Sequence, residues 1–385
     1  MTRQLPRSAS VVVIGGGVVG LATAYELALA GVQDVVLLER DALGSGSTCR
    51  AAGGVRAMFS DPVNVALGAR SLETFRDFPA RFGQEIDFAP VGYLFLLDDA
   101  AAVADFEAAV ALQNDLGVPS RMVDVAEAVR LSPMVDPDGL LAAAWSPTDG
   151  HCTPESVVLG YASAARRAGV TVLPHCPATG IDVRDGRVAA VETAAGAIGT
   201  GAVVCAAGPW SAQVGAWAGV DLPVSPLRRQ ILVTEPVPGL DPHTPFTIDF
   251  GTSFYFHREG EGLLLGMSDP DETPGFRLTR SDAWLPRLGA AIERRAPALA
   301  GVGVAGGWAG LYEMTPDHNA LIGRAADVEG FLYATGFSGH GFLMGPAVGE
   351  VVRDLYVGAQ PFVDVSGLDV RRFAGAGVRP ELNIV

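Results

Sequence analysis

The chain contains no lysine: all 27 of its basic residues are arginine, set against 43 acidic residues in a length of 385. Chemistry that needs a primary side-chain amine, such as a Schiff base to a carbonyl or to pyridoxal phosphate, is thereby excluded. Cysteine is scarce as well. Cys49, Cys152, Cys176 and Cys205 lie far apart with no CxxC spacing, which predicts free thiols and argues against a disulfide framework or a metal site. Positive charge is in deficit overall, with a formal net charge of −16, so phosphate backbones are repelled and nucleic acid is not expected as a partner. Internal repeats are missing and charge density is low, against a solenoid or a disordered chain. Beyond Gly31 the apolar runs are broken by charges or glycines within about a dozen residues, so no later membrane span is expected and the predicted compartment is the cytoplasm.

One run remains of membrane-span length, "VVVIGGGVVGLATAYELALAG", Val11 to Gly31. It ends on Ala28-Leu29-Ala30, which resembles a signal-peptidase site, and Arg3 and Arg7 precede it. Against an exported or anchored helix stand Gly15 to Gly17, at roughly 1 kcal/mol each in a helix interior, and the acid Glu26. The run divides better in two. Ser10 to Ile14 is β-branched and short, as a buried parallel strand requires, and Val18 to Ala30 is rich in Ala and Leu, as a helix requires. The join reads Gly15-x-Gly17-x-x-Gly20, with Val18 and Val19 opening the helix. Strand, glycine turn and helix head in that order form a diphosphate cradle. The next strand, "DVVLLER", ends on Glu39 and Arg40, and Glu39 stands 19 residues after Gly20, where an acid accepts hydrogen bonds from a ribose. A bound dinucleotide follows from these parts together.

The rest of the chain predicts a discontinuous organisation. The loop "DALGSGSTCRAAGGVR" leaves the second strand beside the cradle, and a helix follows from Asp61 to Phe78. Strands are expected at Val91 to Leu97 and at "LLAAAW", a helix at "ESVVLGYASAARRAGV", a hairpin turning at Asp185-Gly186, and a buried strand at "AVVCAAGPWS". "RRQILVTEP", "SFYFHRE" and "GLLLGMS" alternate as antiparallel strands do, a helix follows near Ser281 to Arg295, and "FLYATGFSGHGF" leads into a last helix to about Tyr356. The fold class is therefore α/β: a Rossmann-like nucleotide-binding domain carrying an inserted, mostly antiparallel-sheet substrate domain. Its expected segments are 1–88, 149–226 and 309–385 for the nucleotide-binding domain, and 89–148 and 227–308 for the insert.

Taken together, the opening run, "GSGSTCRAAGGVR", "VVCAAGPWS", "YEMTPDHNALIG" and "GFSGHGFLMGPAVGE" resemble the D-amino-acid oxidase and sarcosine oxidase family of FAD-dependent amine oxidoreductases. The resemblance spans nearly the whole chain and is nearest to the β subunits of sarcosine oxidases and proline dehydrogenases. It implies FAD as the dinucleotide, with Ser47, Thr48, Ala52, Gly53 and Gly54 of the loop, Ala178, Ala207, Gly208, Trp210 and Gly310, and Gly339, His340, Gly341, Phe342 and Leu343 of the last motif in contact with it. It implies oxidation of a C–N bond, with hydride passing to flavin N5 and an imine released to water. For the site it implies Arg56 at the substrate carboxylate, with Arg50 as competitor, and Tyr255 and His257 on one strand face; a core role for that pair stays open. The head of the last helix, with His340, would stabilise negative charge on the flavin.

Departures from the family shape the rest of the expectation. No cysteine occurs among Trp308 to Leu311, so FAD is expected to be non-covalent, and Pro154 stands where a histidine holds FMN, so FMN is not expected, with His151 nearby as the one reservation. Leu343 and Leu264 or Leu265 replace lysines of monomeric sarcosine oxidases, which weakens the case for oxygen and favours a dehydrogenase handing electrons to a partner subunit or carrier. The expected substrate is a small amino or imino acid, sarcosine-, proline- or glycine-like. Alternatives are a tailoring oxidase for a larger amine and a non-catalytic flavin-bearing subunit.

Overall fold

A computed structural model describes residues 5–375 and 378–384. Its first layer is a six-stranded sheet ordered Leu321–Arg324, Phe331–Thr335, Val203–Cys205, Val11–Ile14, Val35–Leu38, Thr171–Leu173, parallel except for the antiparallel pair at the 321–324 edge. These strands are short, β-branched and buried on both faces, as parallel strands between covering layers must be. The helices Val18–Leu29, Pro62–Arg76, Pro154–Arg167 and Gly341–Val357 supply a core on one face. A three-stranded antiparallel sheet, Ala178–Arg184, Arg187–Thr193 and Gly196–Gly199, packs on the other. Its hairpin turns where expected, with Asp185 and Gly186 at φ 50° and 74°. Glu26, the acid in the apolar opening run, is buried in the first helix and paired with Arg81 at 2.6 Å and Arg353 at 2.9 Å. Among the described residues no helix is long and apolar enough to cross a membrane.

The second layer is an eight-stranded sheet ordered Val304–Met314, Ser225–Thr234, Gly262–Met267, Phe254–Glu259, Phe246–Asp249, Tyr93–Leu97, Ala142–Ser146, Arg121–Val123. All neighbours are antiparallel except Phe246–Asp249 with Tyr93–Leu97. Alternation assigns Phe254, Phe256, Leu263 and Leu265 to the core under helix Leu285–Arg295, and Tyr255 and Leu264 to the opposite face. Two of the expected segment boundaries fall within paired strands. Residues 226/227 and 308/309 fall inside the strands Ser225–Thr234 and Val304–Met314, which pair from Ser225↔Met314 to Thr234↔Val304 with a register shift between Val233 and Thr234.

Candidate active site

A cavity of about 430 Å³ runs from the ends of the parallel strands to the inner face of the eight-stranded sheet. Its first part is the glycine turn after Ile14, in the crevice between the central strands where the chain crosses over. Gly15 has φ +118°, and a Cβ there would sit 2.2 Å from the Ala206 carbonyl oxygen, so only glycine closes this turn. Gly17 and Val18 open the helix, and the Val18 amide donates to Thr48 Oγ1 at 3.1 Å, tying the loop to the helix head. Glu39 accepts from the amides of Gly16 and Asp41, both at 2.8 Å. A carboxylate has about four lone-pair positions, so it keeps capacity toward a ribose diol. Farther along the wall, Arg40 lies over the Trp210 ring at 4.3 Å. Gly53 and Gly54 approach so closely that added Cβ atoms would meet the Cys152 carbonyl oxygen at 2.2 Å and the Tyr93 hydroxyl at 1.8 Å.

This wall suits an extended dinucleotide: backbone amides and a helix head for phosphates, an acid for ribose, and glycines where a flat ring must come close. The expected contacts Gly15, Gly17, Val18, Val19, Glu39, Arg40, Ser47, Thr48, Ala52 to Gly54, Ala178, Ala207, Gly208, Trp210, Gly310 and Gly339 to Leu343 all line the cavity. Gly20 does not. A Cβ on it would lie 1.9 Å from the Gly15 carbonyl oxygen, so its part is to let the helix pack on the turn.

The inner end is a chamber bounded by Arg56, Tyr93, Arg229, Tyr255, Tyr312 and Phe246. Burial raises the pKa of Tyr93, Tyr255 and Tyr312, so all three phenols keep their protons and act as donors. Arg56 is 3% exposed. Its guanidinium donates to the Met58 carbonyl and, at 2.5 Å, to the Asn383 carbonyl, and its Nη2 stands 3.3 Å from His340 Nε2. Arginine has no acceptor, so His340 Nε2 accepts and the ring is neutral; burial and the Arg56 charge hold its pKa well below the usual histidine value. The expectation that His340 adds positive field is therefore corrected: the fixed charge beside the head of the last helix belongs to Arg56.

His257 requires a second correction. It shares Tyr255's face, but its ring nitrogens lie 2.8 Å and 2.9 Å from the carbonyl oxygens of Arg258 and Ala52, burial pushes its pKa down to about 4, and it does not line the cavity. It braces the loop at Ala52 and stacks on Phe246 with centroids 4.7 Å apart. Arg50 is likewise occupied, donating to the carbonyls of Ser45 and Ala309.

Arg229, which no motif marked, has the freest guanidinium of the chamber. It lies over the Tyr312 ring at 5.1 Å and donates to the Arg228 carbonyl at 3.2 Å, while its buried Nε has no partner. The signal in the sequence is the pair Arg228-Arg229 on a strand with no other charged residue. Arg228 points the other way, to Glu272 at 2.7 Å. Glu313, which no motif marked either, is half-buried in the cavity wall.

Comparison with known proteins agrees with this geometry. The family model for FAD dependent oxidoreductases matches residues 10–355. Human mitochondrial sarcosine dehydrogenase is 32% identical over 97% of this chain, although the chain spans only 42% of that protein's length. Among solved structures, L-proline dehydrogenase from P. horikoshii superposes with a TM-score of 0.91 at 34% identity, covering 97% of this chain and 100% of that one. Glycine oxidase from Geobacillus kaustophilus superposes at 0.83 with 25% identity, covering 95% and 99%.

Proposed function

The chain belongs to the FAD dependent oxidoreductase family, and from that premise we propose that it oxidises the C–N bond of a small amino or imino acid. The observation that carries the substrate class is the chamber at the inner end of the cavity, where Arg229 keeps an unpartnered Nε among three protonated tyrosines. FAD, held non-covalently, supplies when bound the acceptor for the hydride that leaves the substrate carbon. The amine nitrogen gives up a proton and an imine departs to be hydrolysed, so the substrate loses two electrons and two hydrogens.

The chain's residues bind and orient. Arg229 takes the substrate carboxylate through its planar fork, with a tyrosine hydroxyl as second donor. Two guanidinium charges, Arg229 and Arg56, disfavour the ammonium form of the substrate, so the amine is held with its lone pair free. Neutral His340, with its Nε2 taken by Arg56, does not act as the base. Phe246 and the tyrosine rings keep water from the reacting carbon. Leu264 lies on the Tyr255 face of its strand and Leu343 lines the cavity, so neither position offers the lysine cation that would promote reaction with oxygen. We therefore favour a dehydrogenase that passes electrons to a partner protein or carrier.

The test mixes the purified FAD-bound protein anaerobically with L-proline, 4-hydroxyproline, sarcosine, glycine and D-amino acids. Loss of the flavin's visible band with at least one of them is expected, with slow recovery after air is admitted. A band that persists through the whole panel with FAD fully bound overturns the substrate class; immediate recolouring in air overturns the dehydrogenase reading.

A further inference from the structure

We propose that Glu313 is a redox-tuning residue whose carboxylate lowers the midpoint potential of the bound FAD. The inference rests on the reading that the cavity holds FAD. Glu313 lies on the strand Val304–Met314, lines the cavity, and is positioned by neutral groups only. Its Oε2 accepts from Thr335 Oγ1 at 2.7 Å and from the Gly336 amide at 2.9 Å. Among the described residues no arginine or histidine forms an ion pair with it.

Its position gives that charge a target. A Cβ built on Gly341 would lie 3.2 Å from Glu313 Oε1, and one built on Gly208 would lie 3.8 Å from Oε2. The carboxylate is thus wedged between the Gly-Pro turn and the head of the 17-residue helix Gly341–Val357, and all three positions line the same cavity. A helix head carries about half a positive charge, which would favour negative charge on an adjacent ring. A carboxylate beside it cancels part of that field. Uptake of two electrons and one proton by FAD leaves one additional negative charge in the cavity, so a fixed anion opposes reduction. Burial raises the carboxyl pKa to about 6, which leaves it ionised at pH 8. The consequence is a better electron donor once reduced, in keeping with transfer to a carrier.

The experiment is a potentiometric titration of the FAD absorbance at pH 8 in the wild type, Glu313→Gln and Glu313→Asp. Glutamine keeps the shape and can still accept from Gly336 but removes the charge. The expected result is a higher potential in Glu313→Gln, displacing the reduced-to-oxidised ratio about tenfold, or about 30 mV for a two-electron couple. Glu313→Asp, which withdraws the charge by one methylene, should fall between. An unchanged potential in Glu313→Gln with FAD fully bound overturns the proposal, as does an equal shift in both variants, which would mark a packing effect. Should Glu313→Gln fail to fold, Thr335→Val removes the hydroxyl that disperses the charge and must lower the potential; no change there overturns the proposal. A wild-type protein that retained no FAD would instead refute the cofactor reading itself.

Discussion

At the scale of single residues, the two chamber arginines differ in what already occupies them. Arg56 spends its donors on the carbonyls of Met58 and Asn383, whereas Arg229 has a buried Nε with no partner. Replacing Arg229 with Gln should therefore weaken binding of the substrate or a carboxylate inhibitor by roughly 10- to 100-fold, since hydrogen bonds to charged groups are worth about 1.5–3 kcal/mol. Anaerobic titration of the FAD spectrum measures this, and an unaltered dissociation constant would move the carboxylate to another residue. Asp149 offers a prediction about pH. Its Oδ2 accepts from the Ala57 amide at 3.2 Å, its Oδ1 is buried without a partner, and desolvation raises its pKa from 3.8 to about 7. Between those values the folded chain holds a proton that the unfolded chain has lost, so the contribution of Asp149 to stability falls as pH rises from about 4 to 7 and stays low above that. Asp149→Asn removes this penalty. The unfolding free energy of the variant relative to wild type should climb across that window by up to a few kcal/mol and then level; a difference that is flat with pH contradicts the assignment.

At the scale of elements, the cradle depends on how closely the first and last helices approach. A Cβ on Gly345 would lie 2.7 Å from Val18 Cγ2, and one on Gly349 would lie 2.8 Å from the Ala22 carbonyl carbon. These glycines set the separation that places the head of each helix at the cavity. Gly349→Val should push the helices apart at a cost of roughly 1–3 kcal/mol, seen as a lower unfolding temperature together with weaker FAD retention. Loss of stability with FAD affinity unchanged would show that the helix separation does not govern the site. The strand Val304–Met314 illustrates an element that pattern reading passes over. "VAGGWAGLYEM" carries three glycines and lacks alternation, yet a Cβ on Gly307 would meet the Ile231 carbonyl oxygen at 2.3 Å, so glycine is what lets this strand lie against its neighbour.

At the scale of the whole molecule, a chain of net charge −16 gathers four arginines, Arg40, Arg50, Arg56 and Arg229, along one cavity, which favours an anionic dinucleotide and an anionic substrate despite the acidic surface. Because FAD would bind between the two sheets and only to the folded chain, removing it should lower the unfolding temperature. Restoring it to a thousandfold excess over its dissociation constant should recover about 4 kcal/mol. A temperature indifferent to FAD would contradict a cavity built for it. The glycine turn, the acid ending the second strand, the glycine loop and the head of the last helix, all of which line the cavity, were legible in the sequence because each is a local device, defined by residues a few positions apart whose geometry is set by backbone conformation. Alternation likewise put Tyr255 on the strand face that meets the cavity. Only the tertiary structure decided which of Arg228 and Arg229 enters the chamber, that Arg56 and His257 are occupied by distant carbonyls, and that Glu313 meets the head of a helix that begins 28 residues later. Those outcomes depend on which strand lies beside which and on where a side chain finds its hydrogen bonds, and neither is encoded within a short stretch of chain.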